Sequence, residues 1–498
     1  MKSMPPIASG VPPAATRALL ACALALASAC TVGPDYVRPS APEPAEYKNA
    51  GDWKVAQPRD DVLRGPWWDV FGDPVLSSLE EQVDVSNQSL RAAEARFRQA
   101  QTLVAQARAG AYPTATVGVS LGRSRQSENL FGNLGGSGRT VSDFSTPVGI
   151  SWEPDLWGRV RRLVESNEAG AQASAADLAA ARLSLHANVA VNYFQIRTVD
   201  AQKEVLRETI AAYEKSLQLT RNRHDAGIAS GADVAQAETQ LETTRAQEID
   251  LQATRAALED AIAVLIGVPA SDFSIAEAPL AGTPPAIPPG VPSEILERRP
   301  DVAAAERRIA AANAEIGVAL AAYYPSVVLS ASGGFESSDF GKWFTWPSRF
   351  WAVGLTMSET VYDAGLRAAQ TEQARAAYDE TVADYRQSVL GAFQQVEDQL
   401  AALRVLADES RVQAAAVDAA QRSVTLTRNR YEQGTASYID VVTTQAAELA
   451  NERTEVDLLG RRMAATVQLV AAVGGGWRDT DLPSGDEIAD TAPPRTGG

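Results

Sequence analysis

The segment LTRNRHDAGIASGADV, Leu219 to Val234, returns as LTRNRYEQGTASYIDV, Leu426 to Val441, displaced by 207 residues without a gap. Identical at that offset are the LTRNR leader, a central glycine (Gly227 and Gly434), a serine (Ser230 and Ser437) and an Asp-Val pair (Asp233-Val234 and Asp440-Val441). Chance rarely delivers such agreement, so the chain is a tandem duplication and its fold contains two like halves. In each copy an Ala-rich periodic run ends at a glycine suited to a left-handed stop, and Ser or Asp then offers a cap for the next helix. Each copy reads as the tip of an αα-hairpin. The offset persists to Gly267 and Gly474, where the second helix of each hairpin is expected to end. Upstream, LRAAE at 90–94 with Tyr112-Pro113 matches VAAAE at 302–306 with Tyr324-Pro325, now at an offset of 212. A unit of about 200 residues is far longer than a solenoid repeat of roughly 20 to 50.

The first tip is fed by a run from about Leu156 to Ala226 that contains no helix breaker except isolated Gly. At ~1.5 Å per residue it predicts a helix on the order of 100 Å long. Its counterpart runs from Val361 to Gln433, where Val382, Tyr385, Val389, Phe393, Val396, Leu400 and Leu403 recur at the coiled-coil period of roughly 3.5 residues. Two shorter helices, 79–109 and 233–266, total 65 residues against 71 for the long one. They are expected to stack end to end along it, giving a rod with the tip at its far end.

At the other end the period changes from helical to two. Ala115, Val117, Val119 and Leu121 alternate with Thr114, Thr116, Gly118 and Ser120; Val148, Ile150 and Trp152 alternate with Pro147, Gly149 and Ser151. The second half repeats this with Val327, Leu329 and Ala331, then Trp351, Val353, Leu355 and Met357. Strands are expected at 112–124, 144–153, 324–336 and 349–358. Their length and their apolar/small alternation suit a transmembrane β-barrel, with a soluble antiparallel sheet as the ordinary alternative. A signal-like N-terminus and the cluster Trp343, Phe344, Trp346, Phe350 and Trp351, which reads as an interfacial aromatic girdle, favour the membrane. The glycine-rich segment 131–138 joins two strands rather than a strand to a helix, so it reads as a hairpin loop and not a phosphate cradle.

Lys2 and Arg17 precede the apolar run Ala18 to Ala29, which is too short to span a bilayer and fits a secretory signal over 1–29. Ala27-Ser28-Ala29-Cys30 resembles a bacterial lipobox with Ala27 where Leu is usual, making Cys30 the expected lipidation site. Leu19-Leu20-Ala21-Cys22 fits by letters but leaves almost no apolar run ahead of it. An extended Pro-rich arm occupies 30–78, with Trp67-Trp68 anchoring it to the body; 268–299 is a linker lying mid-rod and 475–498 a tail. The first repeat is 79–267 with its tip at 224–233, and the second is 300–474 with its tip at 431–440.

A formal charge of -17 argues against nucleic acid as a partner. Both cysteines, Cys22 and Cys30, lie in the first 30 residues, so no disulfide framework or Cys metal site exists in the rest. Of the two histidines, His224 is replaced by Tyr431 in the other repeat, and no metal, nucleophile or nucleotide motif is present. The chain reads as a non-enzyme without cofactor or metal.

With Cys30 to Tyr36 (CTVGPDY), Trp67-Trp68 with Phe71-Gly72-Asp73-Pro74, Arg298-Arg299-Pro300-Asp301, Tyr324-Pro325 and both tips, the chain resembles an outer-membrane efflux channel of the TolC type, in the lipoprotein branch that serves tripartite RND pumps. The resemblance implies a mainly α fold with a small transmembrane β part. Two pseudo-repeats of helix, strand, strand, long helix and helix trimerise into a 12-stranded barrel continuous with a 12-helix periplasmic tunnel. It also implies a periplasmic adaptor and an inner-membrane RND-type pump as partners, and a Gram-negative outer membrane as location. The residues alone require association, because four strands cannot close and open edges in lipid leave unpaired backbone groups; they leave two, three or four copies open. The tips Gly227, Ile228, Ala229, Ser230 and Gly434, Thr435, Ala436, Ser437 are the expected adaptor contacts. Asp233 and Asp440 are gate candidates that can equally cap their helices. Tyr431 matches a tip residue that in TolC latches the closed channel together with an Arg, and Ala436 occupies that Arg's position here. Small-molecule efflux competes with polypeptide export on the same architecture, and with a poreless structural lipoprotein from another class. The cargo is not written in the sequence.

Overall fold

The computed structural model describes residues 31–42, 44, 47–48, 65–125, 127, 140–287 and 295–490. Cys22, Cys30, the signal-like segment and the glycine loop at 131–138 lie outside them. The first half runs α1 (Pro74–Ser86), α2 (Gln88–Ala109), β1 (Thr114–Val117), β2 (Ser120–Arg125), β3 (Thr140–Trp152), α3 (Arg159–Asp225) and α4 (Gly231–Leu265). The second runs α5 (Pro300–Ala321), β4 (Ser326–Ser337), β5 (Arg349–Ser358), α6 (Leu366–Glu432) and α7 (Tyr438–Ala472), followed by a short α8 (Gly485–Asp490). The halves agree in length: α2 and α5 have 22 residues, α3 and α6 have 67, α4 and α7 have 35. Duplication is therefore visible in the elements as well as in the tips.

Where one helix from Leu79 to Ala109 is expected, the chain breaks at Asn87, whose backbone is extended. Its side chain accepts from Leu90 N at 2.8 Å, capping α2, and donates to the carbonyl of Leu265 at 2.6 Å, at the end of α4. Ser86 donates to Ile266 O in the same joint. Thus α4 ends against the start of α2. In the second half Arg299 plays this part by donating to Ala472 O at 2.9 Å, so α7 ends against the start of α5. Gly267 (φ 75°) and Gly474 (φ 96°) close the two joints in left-handed conformation, and a Cβ on either would run into a backbone carbonyl, that of Ser86 or Arg298. Both α2 and α4 pack on α3, which also meets α5 and α7; α6 packs along α5 and α7. The stripe Tyr385, Val389, Phe393, Val396 and Leu400 is buried in that seam, with Val382 and Leu403 at its margins. Each such side chain contributes roughly 1.5–3 kcal/mol of burial.

Around the joints the extended segments are strapped to the rod. Trp67 and Trp68 are buried, and Trp68 stacks on His186 at 4.6 Å. Residues 273–280 cross α3 and α4 through Arg197 to Ala276 O, Lys203 to Glu277, and Ala278 N to Asp200, which also receives Arg255. The arm begins at the start of α3, where Val32 N donates to Trp157 O and Arg162 donates to the carbonyls of Val32 and Gly33.

The strands form one open antiparallel sheet in which β1 and β2 both pair with β3, β3 with β4, and β4 with β5. β1 and β2 keep a single register on β3; they separate at Gly118-Val119, opposite Thr146-Pro147, where proline has no N–H to give the ladder. The pair β3–β4 joins the two hairpins. By register, one face carries Val117, Leu121, Val148, Ile150, Leu329, Trp351, Val353, Leu355 and Met357, and the other Thr116, Gly149, Ser151, Ser330, Ser332 and Gly354. Two girdle expectations are corrected here. Phe350 pairs with Gly334 on the polar face, because it is one step from Trp351. Trp343 is 7% exposed, packed among Phe144, Phe340 and Phe344 rather than facing outward.

Candidate functional site, the paired hairpin tips

Both tips reverse by the same local chemistry. After α3, Gly227 (φ 75°) lets Ile228 N and Ala229 N turn back to Arg223 O at 2.7 and 3.2 Å; after α6, Gly434 (φ 75°) lets Thr435 N reach Arg430 O at 2.9 Å. Ser230 then caps α4: its Oγ accepts from Asp233 N at 3.2 Å, while its own N donates to Asp233 Oδ2 at 2.9 Å. At the second tip Ser437 N and Oγ both donate to Asp440 Oδ2, at 3.0 and 2.7 Å. Those hydrogen bonds hold the Asp440 carboxyl below its usual pKa. Gly227, Ile228, Ser230, Gly434, Thr435 and Ser437 are exposed, whereas Ala229 and Ala436 are half-buried.

Among the gate candidates, Asp233 and Asp440 are engaged in helix capping. Tyr431 is different. It is 6% exposed, stacks edge-on with Tyr438 at 5.4 Å, and lies with Tyr213, Leu217, Leu241 and Val441 in a small core between the two hairpins. Its hydroxyl has no partner among the described residues, so it makes no bond to Asp233. What meets Tyr431 is Arg223 of the other tip, its guanidinium 4.7 Å from the ring centroid and its Nη1 donating to Glu432 O at 3.2 Å. Nothing in the sequence singles out Arg223: it sits in the LTRNR leader that defines the repeat, Arg430 is its counterpart, and only the tertiary fold distinguishes the two copies. Among the described residues, Arg223 Nε, Tyr431 Oη and Gln445 Oε1 in this seam are buried without a hydrogen-bond partner. Burial pushes the Tyr213 hydroxyl up to about 12.

The family model described as "Outer membrane efflux protein" matches residues 79–268 and 291–475, both halves of the duplication. The chain belongs to the outer membrane efflux protein family. The curated "Toluene efflux pump outer membrane protein TtgF" of Pseudomonas putida is 32% identical over 473 residues, covering 92% of this chain and 96% of that one. "Cation efflux system protein CusC" of Escherichia coli is 29% identical over 463 residues, covering 92% and 97%. Among solved structures, the outer-membrane channel OprN aligns with a TM-score of 0.84 at 29% identity, over 90% of this chain and all of that one. This outer membrane efflux protein is accordingly an outer-membrane exit duct whose sheet is the membrane part and whose helices form the periplasmic part. Among the described residues no helix is long and apolar enough to cross a membrane.

Proposed function

We propose that three copies of this chain close their four-strand sheets into one barrel above a helical tunnel, and that small molecules handed over by a periplasmic adaptor and an inner-membrane RND-type pump leave through it. The observation that carries this reading is the sheet itself, with one face of large apolar side chains, the other of hydroxyls and glycines, and β1–β2 and β5 as its two edges. Such a sheet suits lipid on one side and water on the other once its edges are joined. The names of relatives, which mention toluene, pyoverdine and cations, span unlike cargoes, in keeping with a duct that need not bind what passes. Deletion of the gene should sensitise cells to amphiphilic drugs. If export of a single secreted protein stops instead while drug sensitivity is unchanged, the polypeptide-export alternative replaces this one.

Cys30 is the proposed lipid anchor. Its neighbour Thr31 lies against Gly158, beside the sheet end of α3, which supports an anchor on the membrane side of the molecule. Cys30→Ala should abolish fatty-acid labelling; labelling that persists refutes the assignment. The tips, Gly227 to Ser230 and Gly434 to Ser437, are the proposed adaptor contact, supported by Ile228, which is 67% exposed at the end of the rod. Ala229→Trp or Ala436→Trp should weaken adaptor crosslinking without dissociating trimers. Closure of the periplasmic mouth is assigned to the Arg223–Tyr431 stack, with Asp233 and Asp440 acting through the caps they form.

A further inference from the structure

The strands contain five charged residues among those described, and the register sorts them by sign. Arg123 pairs with Ser142, Arg125 with Thr140, and Arg349 with Phe335; counting along the ladders, all three arginines fall on the apolar, lipid-facing side. Asp143 pairs with Gly122 and Glu336 with Ser145, which puts both carboxylates on the polar side. The sorting is also vertical. From the periplasmic end the outward face of β5 reads Met357, Leu355, Val353, Trp351 and then Arg349. Those six steps to Trp351 rise about 20 Å, close to the ~25 Å apolar band of a membrane barrel. The opposite edge reads Val117, Val119, Leu121 and then Arg123 and Arg125. Cations therefore begin where the apolar band stops, at the end of the sheet farthest from the helices.

At the periplasmic end the arginines are neutralised in place: Arg159 by Glu153 at 3.2 Å, Arg161 by Asp155 at 3.3 Å and Arg367 by Asp363 at 2.5 Å. At the outer end no carboxylate among the described residues lies within ion-pair distance of Arg123 or Arg349, and the nearby Lys342 meets Asp339 only at 3.8 Å. Arg349 instead lies over the ring of Trp346 at 3.4 Å, an indole that is 70% exposed, beside Phe344 at 65%. Closing the barrel brings the β5 edge to the β1–β2 edge of the next copy, so Arg349 and the Arg123–Arg125 pair come to one seam.

We propose that this outer rim is a binding surface for the phosphorylated glycolipid of the outer leaflet, the guanidiniums taking the sugar phosphates and the exposed Trp346 and Phe344 the sugar faces. Guanidinium forks match phosphate oxygens, and a cation at the edge of the apolar band is solvated by headgroups rather than buried in hydrocarbon. The Arg–Trp stack fixes one guanidinium in position before lipid arrives.

The test is native mass spectrometry of the purified full-length oligomer titrated with bisphosphorylated lipid A, with the same lipid stripped of its phosphates, and with phosphatidylglycerol. Retention of bisphosphorylated lipid A should fall at least about tenfold in Arg123→Gln/Arg125→Gln/Arg349→Gln. It should be partly restored in the triple Lys variant and persist in Asp143→Asn/Glu336→Gln, with the oligomer intact throughout. If the triple Gln variant fails to assemble, Arg349→Gln alone is read against Arg349→Lys. Equal retention by the Gln and wild-type proteins, equal retention of the dephosphorylated lipid, or equal retention of phosphatidylglycerol would each overturn the proposal.

Discussion

Replacing Arg223 by Gln removes a polar contact that joins the two hairpin tips within one chain. The guanidinium stacks on the buried Tyr431 ring at 4.7 Å and donates to Glu432 O at 3.2 Å. A partly desolvated cation–π contact contributes about 1 kcal/mol and a charge-assisted hydrogen bond at a half-exposed site up to about another, roughly 1–2 kcal/mol per copy. If three copies open together, the closed state loses about 3–6 kcal/mol, on the order of 100- to 10,000-fold in the closed-to-open ratio. Single-channel recording in planar bilayers should show Arg223→Gln with larger conductance or shorter closures than wild type. Tyr431→Phe separates this stack from a latch that works through the hydroxyl. That hydroxyl is buried with no partner among the described residues, so its removal should leave closure unchanged or tighter. A Tyr431→Phe channel that opens as Arg223→Gln does, or an Arg223→Gln channel indistinguishable from wild type while Asp233→Asn/Asp440→Asn gains conductance, would refute the assignment.

Gly474→Ala and Gly267→Ala combine left-handed backbone strain with a Cβ driven into a carbonyl, so each should cost more than about 2 kcal/mol. Gly434→Ala, which meets open space, should cost only about 1 kcal/mol in the same thermal or denaturant unfolding assay. Glu80 is wholly buried against His186 Nδ1 at 2.7 Å, with Asp84 at 3.5 Å from the other ring nitrogen, and burial raises its pKa from 4.5 to about 7. A carboxyl raised on folding stabilises below its unfolded pKa and loses that contribution as pH climbs through the folded one. Melting temperature should therefore fall between about pH 4.5 and pH 7, by an amount equivalent to at most roughly 3 kcal/mol, and Glu80→Gln should flatten that slope. An unchanged slope in Glu80→Gln would place the titration elsewhere.

Much of this fold is written in the chain because duplication repeats each signal. Gly227 and Gly434 fall in equivalent turns, and the two 67-residue helices end where their Ala-rich periodicity ends. The break at Asn87 was not legible, since a single Asn in a periodic run interrupts a helix only when something rewards the break. Here the reward is the Leu265 carbonyl, 178 residues away. The alternation of the strands was readable, but the face assigned to Phe350 was not, because an aromatic cluster in sequence gives no register. At the tips, Ser230 and Asp233 carry the local pattern of a capping box. The Arg223–Tyr431 stack joins segments 208 positions apart in the sequence and has no local signature. Charge sorting on the sheet likewise emerges only when four strands are laid side by side.

The central claim is that one face of the sheet meets lipid and the other a water-filled bore. Single cysteines at 351 to 357 along β5, in a Cys30→Ala background in outer membranes, test it directly. Positions 352, 354 and 356 should react with a membrane-impermeant thiol reagent, while 351, 353, 355 and 357 should be protected from it and their fluorophores quenched by nitroxide-labelled lipid. Uniform reactivity along β5, or protection with the opposite phase, would contradict the account.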